Sequence, residues 1–434
     1  MKKTIKLALV ATIALGVTSA LATNGSNLIG VGAKARGMGG VGIGMSHGAE
    51  STLANPALIT SVKDTEISFG GTIFMPKVKN ESSLILPTGV AGGSPSGTTN
   101  ESSNADSDAD INIIPSVAIA SKVNDNFYFG IGMWGTAGMG VDYREAAASG
   151  QMNMVTNLQL MQFGVPLAYT YSGFSMGITP LLQYGSLDIN YKMSPALQNG
   201  MYLMNTGTFA PTLSTTPMNV GSGVAQDLQF GYNIGVAYEV SGLTIGAIYK
   251  SQIDMKYKGV LSTTIGAMTG GAYTNDELST PAELGVGVSY NMKEHTIALD
   301  YKQIKWSSTK GYEDFGWDDQ NVIAVGYEYA TSDWAVRVGY NYATSPIKEQ
   351  TYAGINSAGL EAGLVNTFNL LGFPAIVESH FTIGGTYNIS KKTSVDLACV
   401  YSPEVSQTYA NFVGQDITTK HSQTALSLGL NYAF

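Results

Sequence analysis

"LQFGYNIGVAYEVSGLTIGAIYK", residues 228–250, decides the fold because two kinds of side chain alternate along it. From Leu228 to Tyr238 every second residue is large and apolar, and the residues between are small or polar. A second alternating run follows directly after Ser241-Gly242. A period of two is typical of a β-strand with one apolar and one polar face, and a two-residue link is typical of a β-hairpin. The stretch therefore predicts two antiparallel strands.

The same alternation recurs from about residue 64 to the end of the chain. We predict fourteen strands, at 64–77, 111–122, 127–138, 156–171, 174–192, 226–240, 243–258, 281–291, 295–307, 320–331, 333–346, 379–390, 393–408 and 421–434. The links between these segments alternate strictly between short and long. That asymmetry is typical of outer-membrane β-barrels, which have short periplasmic turns and long extracellular loops.

A soluble β-sandwich also alternates, so alternation alone does not decide between the two architectures. Aromatic residues gather near the segment ends on the apolar face, as in the girdles at the edges of a bilayer. They are Tyr257, Tyr290, Trp334, Tyr342, Tyr401, Tyr432 and Phe434. Together with the loop lengths, they favour an all-β fold: a transmembrane antiparallel β-barrel of about 14 strands.

The N-terminus has the organisation of an export signal. Lys2, Lys3 and Lys6 precede an apolar run, and small residues follow it at Ala20 and Ala22. A membrane anchor is the alternative, but a spanning helix needs about 20 apolar residues, more than this run provides. We therefore predict a signal peptide at residues 1–22 and an exported protein in the outer membrane.

Composition excludes several classes of function. Only 13% of the 434 residues are charged, whereas glycine occurs 52 times and tyrosine 24 times, which is not the profile of a soluble enzyme. The net charge of −9 argues against a nucleic-acid partner. Cys399 is the only cysteine, so no disulfide forms within the chain.

The stretch "GMGGVGIG", residues 37–44, matches the glycine spacing of a dinucleotide-binding loop. That loop requires a strand before it and a helix after it, and neither flank of this stretch has such a pattern. A fourteen-stranded barrel would leak if its bore were empty, and glycine allows close approach of one backbone to another. We therefore predict that residues 23–63 form a hatch, or plug, inside a barrel of residues 64–434.

Three parts of the chain resemble the FadL/TodX-type outer-membrane transporters of long-chain fatty acids and hydrocarbons. They are "NGSNLIGVGAKARGMGG" (24–40) with "ANPALIT" (54–60), "YKSQIDMKYKGVL" (249–261) and "NYAF" (431–434). The resemblance implies a monomeric fourteen-stranded barrel, an outer hydrophobic groove and passive uptake through a side opening. It also implies hatch residues at Gly37, Gly39, Gly40, Asn55, Pro56 and Ala57.

Two long loops contain the apolar residues that a groove would need. Residues 193–226 include no Asp, Glu, Lys or Arg, and exposed apolar surface often marks a binding site. We assign the groove to Met201, Leu203, Met204 and Phe209 of this loop, and to Leu364, Phe368, Leu371 and Phe373 of the loop at 347–378. The alternative is that both loops fold back on themselves as local packing.

Glycines and charges in the strands suggest further functional residues. The third strand contains Gly130, Gly132, Gly135 and Gly138, and strand glycines favour a kink or leave room for a close neighbour. The resemblance implies an inward kink that opens the wall, whereas the alternative is space for the hatch. Charges predicted to face the bore are Glu239, Lys250, Asp254, Lys256, Glu283, Asp300, Lys302, Glu328, Arg337 and Asp396. Candidate cations for a ligand carboxylate are Lys192, Lys310 and Arg337.

Other motifs lack the context that their chemistry needs. The nucleophile-elbow spacing around Ser175 lies at a predicted hairpin turn, not between a strand and a helix. Asp106, Asp108 and Asp110 lack the glycine and glutamate of a calcium loop. The histidines at 47, 295, 380 and 421 have no metal-ligand spacing.

The sequence thus predicts a channel for hydrophobic small molecules that needs no metal or cofactor and is not an enzyme. Its expected partners are the ligand and the lipids and lipopolysaccharide of the outer membrane. A general aqueous porin, an outer-membrane lipid hydrolase and an adhesin remain as alternatives.

Overall fold

The computed structural model describes residues 23–146 and 149–434, so the predicted signal peptide lies outside the described residues. Fourteen strands form the wall of a barrel. They are β1 (Thr65–Ser82), β2 (Asn112–Lys122), β3 (Phe127–Asp142), β4 (Val155–Gly164 and Leu167–Tyr171), β5 (Phe174–Met193), β6 (Ala225–Val240), β7 (Leu243–Lys250), β8 (Glu283–Met292), β9 (His295–Ile304), β10 (Gln320–Ala330), β11 (Trp334–Ala343), β12 (Ser379–Asn388), β13 (Thr393–Ala410) and β14 (Asp416–Ala433).

The sheet closes on itself. Each strand pairs antiparallel with its neighbours in sequence, and β14 pairs with β1 from Ile417 opposite Ser82 to Ala433 opposite Glu66. Closure removes the open edges that a flat sheet would expose. The prediction of an all-β barrel with fourteen strands is therefore confirmed.

The barrel is apolar on the outside. On β6, every second residue from Leu228 to Val240 points outward, and Phe230 is 82% exposed. Asn233 and Ala237, which alternate with these residues, are buried on the inner face. An exposed apolar belt of this kind suits a lipid environment. In the described part of the chain, no helix has both the length and the apolar character needed to cross a membrane.

Short turns gather at one rim of the barrel. Ser241 and Gly242 link β6 to β7 with positive φ angles of 49° and 83°, and Ser172 and Gly173 link β4 to β5 with 49° and 82°. Two positive φ angles in succession give the turn whose twist matches that of a hairpin. The other rim carries the long loops. The hairpin predicted from residues 228–250 is confirmed.

The seventh strand is shorter than predicted. It ends at Lys250, and a bridge from Ile253 to Thr280 holds the residues that follow. Their buried side chains lie against the inner faces of β6 and β5, because a Cβ atom added to Gly231 would lie 2.5 Å from Ile253 and one added to Gly185 would overlap the Tyr257 hydroxyl. Met255 and Tyr257 are completely buried there, so the prediction that Tyr257 belongs to an outer aromatic girdle is wrong. The reason is that residues 251–258 keep a period of two, which does not reveal whether a segment lies in the wall or against its inner face.

Helices occur mainly in the long loops. α1 (Ala33–Gly37) precedes the wall, whereas α2 (Pro195–Thr206), α3 (Val260–Met268) and α4 (Ala362–Thr367) lie at the long-loop rim. A π-helical turn, Phe368–Gly372, continues α4 into the bore. A separate hairpin, Ile85–Gly89 with Pro95–Asn100, also lies among these loops.

Residues 23–63, here called the lumen segment, lie within the barrel. The segment contains α1, two short strands (Thr23–Asn24 and Asn27–Leu28) and two 3₁₀ turns (Gly48–Leu53 and Pro56–Ser61). Of the residues from 23 to 59, 29 are buried, eight are half-buried and none is exposed. α1 packs against β12, β13 and β14, while the second 3₁₀ turn packs against β5 and β6. The segment thus reaches distant parts of the inner wall.

Candidate transport site

The glycine stretch of the lumen segment surrounds a carboxylate of the wall. The backbone N–H groups of Gly42 and Ile43 donate to Oδ2 of Asp300 at 2.7 and 2.8 Å, and that of Gly44 donates to Oδ1 at 3.3 Å. Successive N–H groups that converge in this way form an anion-binding concavity. The loop that resembles a phosphate cradle in sequence therefore holds the side chain of Asp300 on β9.

Glycines of the wall meet glycines of the lumen segment. A Cβ atom added to Gly384 of β12 would lie 2.9 Å from Cα of Gly37, and one added to Gly339 of β11 would overlap the backbone at Gly39. Gly39 has a φ of +71° and donates its N–H to Thr382 at 2.9 Å. Backbone therefore packs directly against backbone here, which only glycine permits. The structure thus places the predicted hatch residues Gly37 and Gly39 against the wall.

The Asn55-Pro56-Ala57 element fixes a second point of contact. The Oδ1 atom of Asn55 accepts the N–H of Ala57 at 3.0 Å, and its Nδ2 atom donates to the Ile43 carbonyl at 2.8 Å. Asparagine before proline at the first helical position is a favourable helix start. A Cβ atom added to Gly177 of β5 would lie 2.6 Å from the Pro56 carbonyl carbon. The element thus joins the lumen segment to itself and to β5.

Ion pairs link the inward-facing charges of the wall. Glu283 lies 3.3 Å from Lys250 and 3.4 Å from Lys302, and its Oε1 atom accepts the side-chain amide of Asn27 at 2.9 Å. Arg337 lies 2.6 Å from Glu328. These contacts neutralise charges that would be costly to bury alone.

Lys34 of the lumen segment lies 3.9 Å from both Glu66 and Asp396 of the wall. Asp254 and Lys256, predicted to face the bore, are instead exposed outside it because β7 ends before them.

The three predicted carboxylate-binding cations lie in different places. Lys192 is exposed on the outward face of β5. Lys310 is in an exposed loop, 2.7 Å from Asp254. Arg337 is buried but already paired with Glu328. Sequence reasoning missed Arg36, a buried cation on α1, although its position within the glycine-rich segment was a signal for burial.

The upper bore, next to the long-loop rim, is apolar and aromatic. Trp306, Tyr312 and Trp317 contact one another with ring centroids 4.6 to 5.0 Å apart. Phe315 stacks on Phe368 at 4.4 Å. Four of the predicted groove residues, Leu364, Phe368, Leu371 and Phe373, are buried in this cluster. The tip of the lumen segment also reaches it, because a Cβ atom added to Gly25 would lie 2.8 Å from the Trp306 ring.

An open cleft of about 460 Å³ lies between the loop helices, and we call it the external cleft. Met201 and Met204 of α2, Met268 of α3 and Leu364 of α4 line it. Methionine side chains are flexible and polarisable, which suits ligands of varied shape. Leu203 and Phe209, also predicted for the groove, are instead buried in local packing. The sequence left open whether these loops form an apolar groove or pack on themselves, and the structure has both arrangements.

The third strand leaves its neighbour partway up the wall. β3 pairs with β2 only as far as Trp134 opposite Ser116, and its pairing with β4 shifts register between Gly135 and Ala137. Beyond that point Ala137 pairs with Asn27 of the lumen segment. Residues 137–141 are buried on both faces, unlike the alternating residues before them. This part of β3 therefore lies inside the line of the wall.

The four glycines of β3 have different surroundings. Cβ atoms added to Gly130 and Gly132 would crowd Thr52 of the lumen segment, at 3.2 and 2.9 Å. One added to Gly135 would lie 2.6 Å from the Ile114 side chain of β2. Gly138 donates its N–H to the Ser26 carbonyl at 3.1 Å. Gly132 makes room for the lumen segment, whereas a Cβ atom on Gly130 would first meet the Ile119 carbonyl of β2, at 2.5 Å. Gly135 and Gly138 lie where β3 separates from β2.

The remaining motifs form no chemical site among the described residues. Ser175 Oγ donates to Thr170 Oγ1 at 2.9 Å and lies 3.1 Å from Thr60 Oγ1, so its neighbours are hydroxyl groups. Within residues 23–146 and 149–434, no three His, Cys, Asp or Glu side chains come together to hold a metal ion.

Fold and site together define a transmembrane β-barrel whose bore is occupied by part of its own chain. Residues 7–354 match the family described as outer membrane protein transport protein (OMPP1/FadL/TodX). The chain belongs to this family, and it is an outer-membrane β-barrel of the FadL/TodX type. Members of the family are transport channels rather than enzymes.

Solved structures share the fold over nearly the whole chain. A Pseudomonas aeruginosa FadL homologue has a TM-score of 0.67 and 15% identity, covering 94% of this chain and 100% of that one. The toluene transporter TodX of P. putida has a TM-score of 0.65 and 17% identity, covering 94% and 99%. The toluene transporter TbuX of Ralstonia pickettii has a TM-score of 0.60 and 17% identity, with the same coverage.

A relative in Chlorobium limicola matches a shorter part of the chain. It is described as an uncharacterized protein in the 5′ region of a phosphoenolpyruvate carboxykinase gene, and it is 41% identical over 71 residues. The match covers 16% of this chain and 35% of that protein, so the chain spans about a third of the relative's length.

Proposed function

We propose that this protein takes up hydrophobic small molecules passively across the outer membrane. The ligand binds first in the external cleft and then enters the apolar upper bore. The lumen segment acts as a hatch that closes the lower bore, which is the part of the bore between the upper bore and the short-turn rim. The ligand leaves sideways through the wall between β2 and β3. The relatives named as toluene transporters support a hydrophobic ligand.

Entry is supported by the continuity of apolar side chains. Leu364 lines the external cleft and also belongs to the buried cluster of the upper bore, together with Phe368 and Phe373. Ligand moving along this path would reach Trp306, which contacts Gly25 of the lumen segment. A hydrophobic molecule gains free energy at each of these positions by leaving water.

Exit between β2 and β3 rests on one observation, the loss of pairing between these strands above Trp134. Ile114 of β2 fills the space against Gly135 of β3 with a side chain instead of hydrogen bonds. A side chain can change rotamer without breaking a backbone ladder. Movement of Ile114 would connect the bore to the bilayer, where a hydrophobic molecule is soluble.

A reversible disulfide tests this exit. A Cβ atom at residue 135 would lie 3.8 Å from Cβ of Ile114, and disulfides have a mean Cβ separation of about 3.8 Å. We expect Ile114→Cys with Gly135→Cys, in a Cys399→Ser background, to form a disulfide that closes the gap. Uptake of a fluorescent alkyl probe by cells should fall severalfold on oxidation and recover on reduction.

The matched control is Val117→Cys with Met133→Cys, which joins the same two strands at partner positions below the gap. Its oxidation should leave uptake unchanged. Full transport by the oxidised Ile114–Gly135 variant would show that the ligand does not leave between β2 and β3.

A further inference from the structure

Five basic side chains of the bore differ in their partners. Lys34, Lys250, Lys302 and Arg337 each have a carboxylate within 4 Å. Arg36 on α1 has none among the described residues, although it is only 1% exposed. Its Nη1 atom donates to the Gly30 carbonyl at 3.2 Å, while Nε and Nη2 have no partner within the described chain.

Such a position is unfavourable for a guanidinium group. Burial lowers the pKa of Arg36 to about 10, so the group still carries its charge at neutral pH. A buried charge without a counter-charge destabilises the fold. Residues that break a folding rule in this way are expected at functional sites.

Other unsatisfied polar atoms lie on the wall beside Arg36. α1, which carries Arg36, packs against β11 and β12. Asn341 of β11 is the register partner of His380. The Nδ1 atom of His380 and the Oδ1 atom of Asn341 also have no partner among the described residues. Gln423 of β14 lies 3.2 Å from Nε2 of His380 and completes this polar row.

Apolar side chains lie directly next to the polar row. One step closer to the short-turn rim, Val400, Ala425 and Phe74 face one another in register across β13, β14 and β1. All three are buried, in one cluster with Ile114 and Leu28. Ile114 is the residue that fills the gap beside β3. A buried cation is thus joined to an apolar strip that leads towards the proposed exit.

We propose that Arg36 binds the carboxylate of an alkyl-chain acid, whose chain lies along the strip of Phe74, Val400 and Ile114. Arg36 is then a specificity-determining residue that distinguishes an acid from a neutral molecule of the same length. This inference rests on the proposed function, because the acid reaches Arg36 only as a transported ligand.

Binding of two probes of equal chain length tests the site. Full-length protein in non-ionic detergent is titrated with hexadecanoate and with hexadecan-1-ol, and the intrinsic tryptophan fluorescence is followed. We expect the wild type to bind the acid roughly tenfold to a hundredfold more tightly, the effect of hydrogen bonds to a charged group. Arg36→Met should abolish that preference and leave the affinity for the alcohol unchanged. Lys310→Met, which removes an exposed cation, should retain the preference.

A second readout separates ligand binding from a structural role. Removing an unpaired buried charge should leave the melting temperature of the ligand-free protein unchanged or raise it. Hexadecanoate should stabilise the wild type more than hexadecan-1-ol does, whereas the two probes should stabilise Arg36→Met equally. Arg36→Lys keeps the charge without the planar fork, so it should keep part of the preference. Two results would contradict the site. One is a lower melting temperature for ligand-free Arg36→Met, and the other is an acid preference that Arg36→Met and Arg36→Lys both retain in full.

The two proposals fail in different ways. Wild-type protein that binds hexadecan-1-ol as tightly as the acid would overturn the role of Arg36 and leave the proposed function intact. Wild-type protein that binds neither probe would overturn both.

Discussion

The lower and the upper bore are filled by the same chain in opposite ways. In the lower bore, backbone meets backbone, as at Gly37 and Gly384, and directional hydrogen bonds such as those to Asp300 set the arrangement. In the upper bore, side chains such as Phe315 and Phe368 meet through apolar contact. Hydrogen-bonded backbone tolerates one geometry, whereas apolar contact is non-directional. This difference supports the proposal that the lower bore stays closed and that the upper bore adapts to its ligand.

Displacing the lumen segment from the wall should give the largest effect. Gly339→Val puts a branched side chain where the backbone of Gly39 lies, and overpacking of this kind costs about 1–3 kcal/mol. We expect the lumen segment to lose its packing against the wall and the barrel to conduct ions steadily in planar bilayers. The same change should sensitise cells to large hydrophilic antibiotics.

The control for this prediction is Gly71→Val. Gly71 lies on the outward face of β1, and an added Cβ atom would come no closer than 3.2 Å to the Ile114 carbonyl. This variant should remain closed. If the barrel of Gly339→Val also failed to conduct, glycine contacts would not be what holds the lumen segment against the wall.

Removing one hydrogen-bonded anchor should give an intermediate effect. Asp300→Asn keeps the size of the side chain but leaves at most one good acceptor for the N–H groups of Gly42, Ile43 and Gly44. Loss of a charged acceptor costs about 1.5–3 kcal/mol. We expect faster hydrogen exchange at these three amides with little change in the strands. Asp254→Asn, at an exposed ion pair, should leave the exchange unchanged.

The structure also shows which features could be predicted from the sequence and which could not. The wall was predictable because each strand places apolar residues towards lipid with a period of two. The ends of the strands were harder to predict than their centres. β14 begins at Asp416 and not at 421, because the end of this strand at the long-loop rim is polar and has no apolar face. A proline at 166 divides β4 without interrupting the alternation around it.

The site was harder to read than the wall. The glycines of the lumen segment indicated a close approach but not its partners, because Gly39 and Gly339 are far apart in sequence. The glycines around Arg36 were a signal for its burial, but the sequence could not show that the described residues of the wall provide no carboxylate for it. Composition identified the two apolar loops, but it could not separate side chains that line a cleft from those that support it.

The smallest effect is expected at the external cleft. There, side chains that line the cleft can be distinguished by mutation from side chains that only support the loops. Met201→Ser with Met204→Ser removes apolar surface that lines the cleft. About 1 kcal/mol of lost burial corresponds to roughly fivefold weaker capture. We expect uptake to need a correspondingly higher concentration of probe, with an unchanged maximal rate. Tyr202→Ser changes an exposed residue of the same helix that is outside the cleft lining, so it serves as the control.

Phe209→Ser distinguishes support from capture. Phe209 is buried against Gly89 of the loop hairpin, and its N–H donates to the Gly93 carbonyl at 3.1 Å. Its loss should loosen the loops and increase their cleavage by protease, because a buried aromatic side chain contributes about 3 kcal/mol or more. If Phe209→Ser raised the required probe concentration with no change in cleavage, while the methionine variant behaved as wild type, the ligand would bind where Phe209 lies. The external cleft would then be only the entrance to that site.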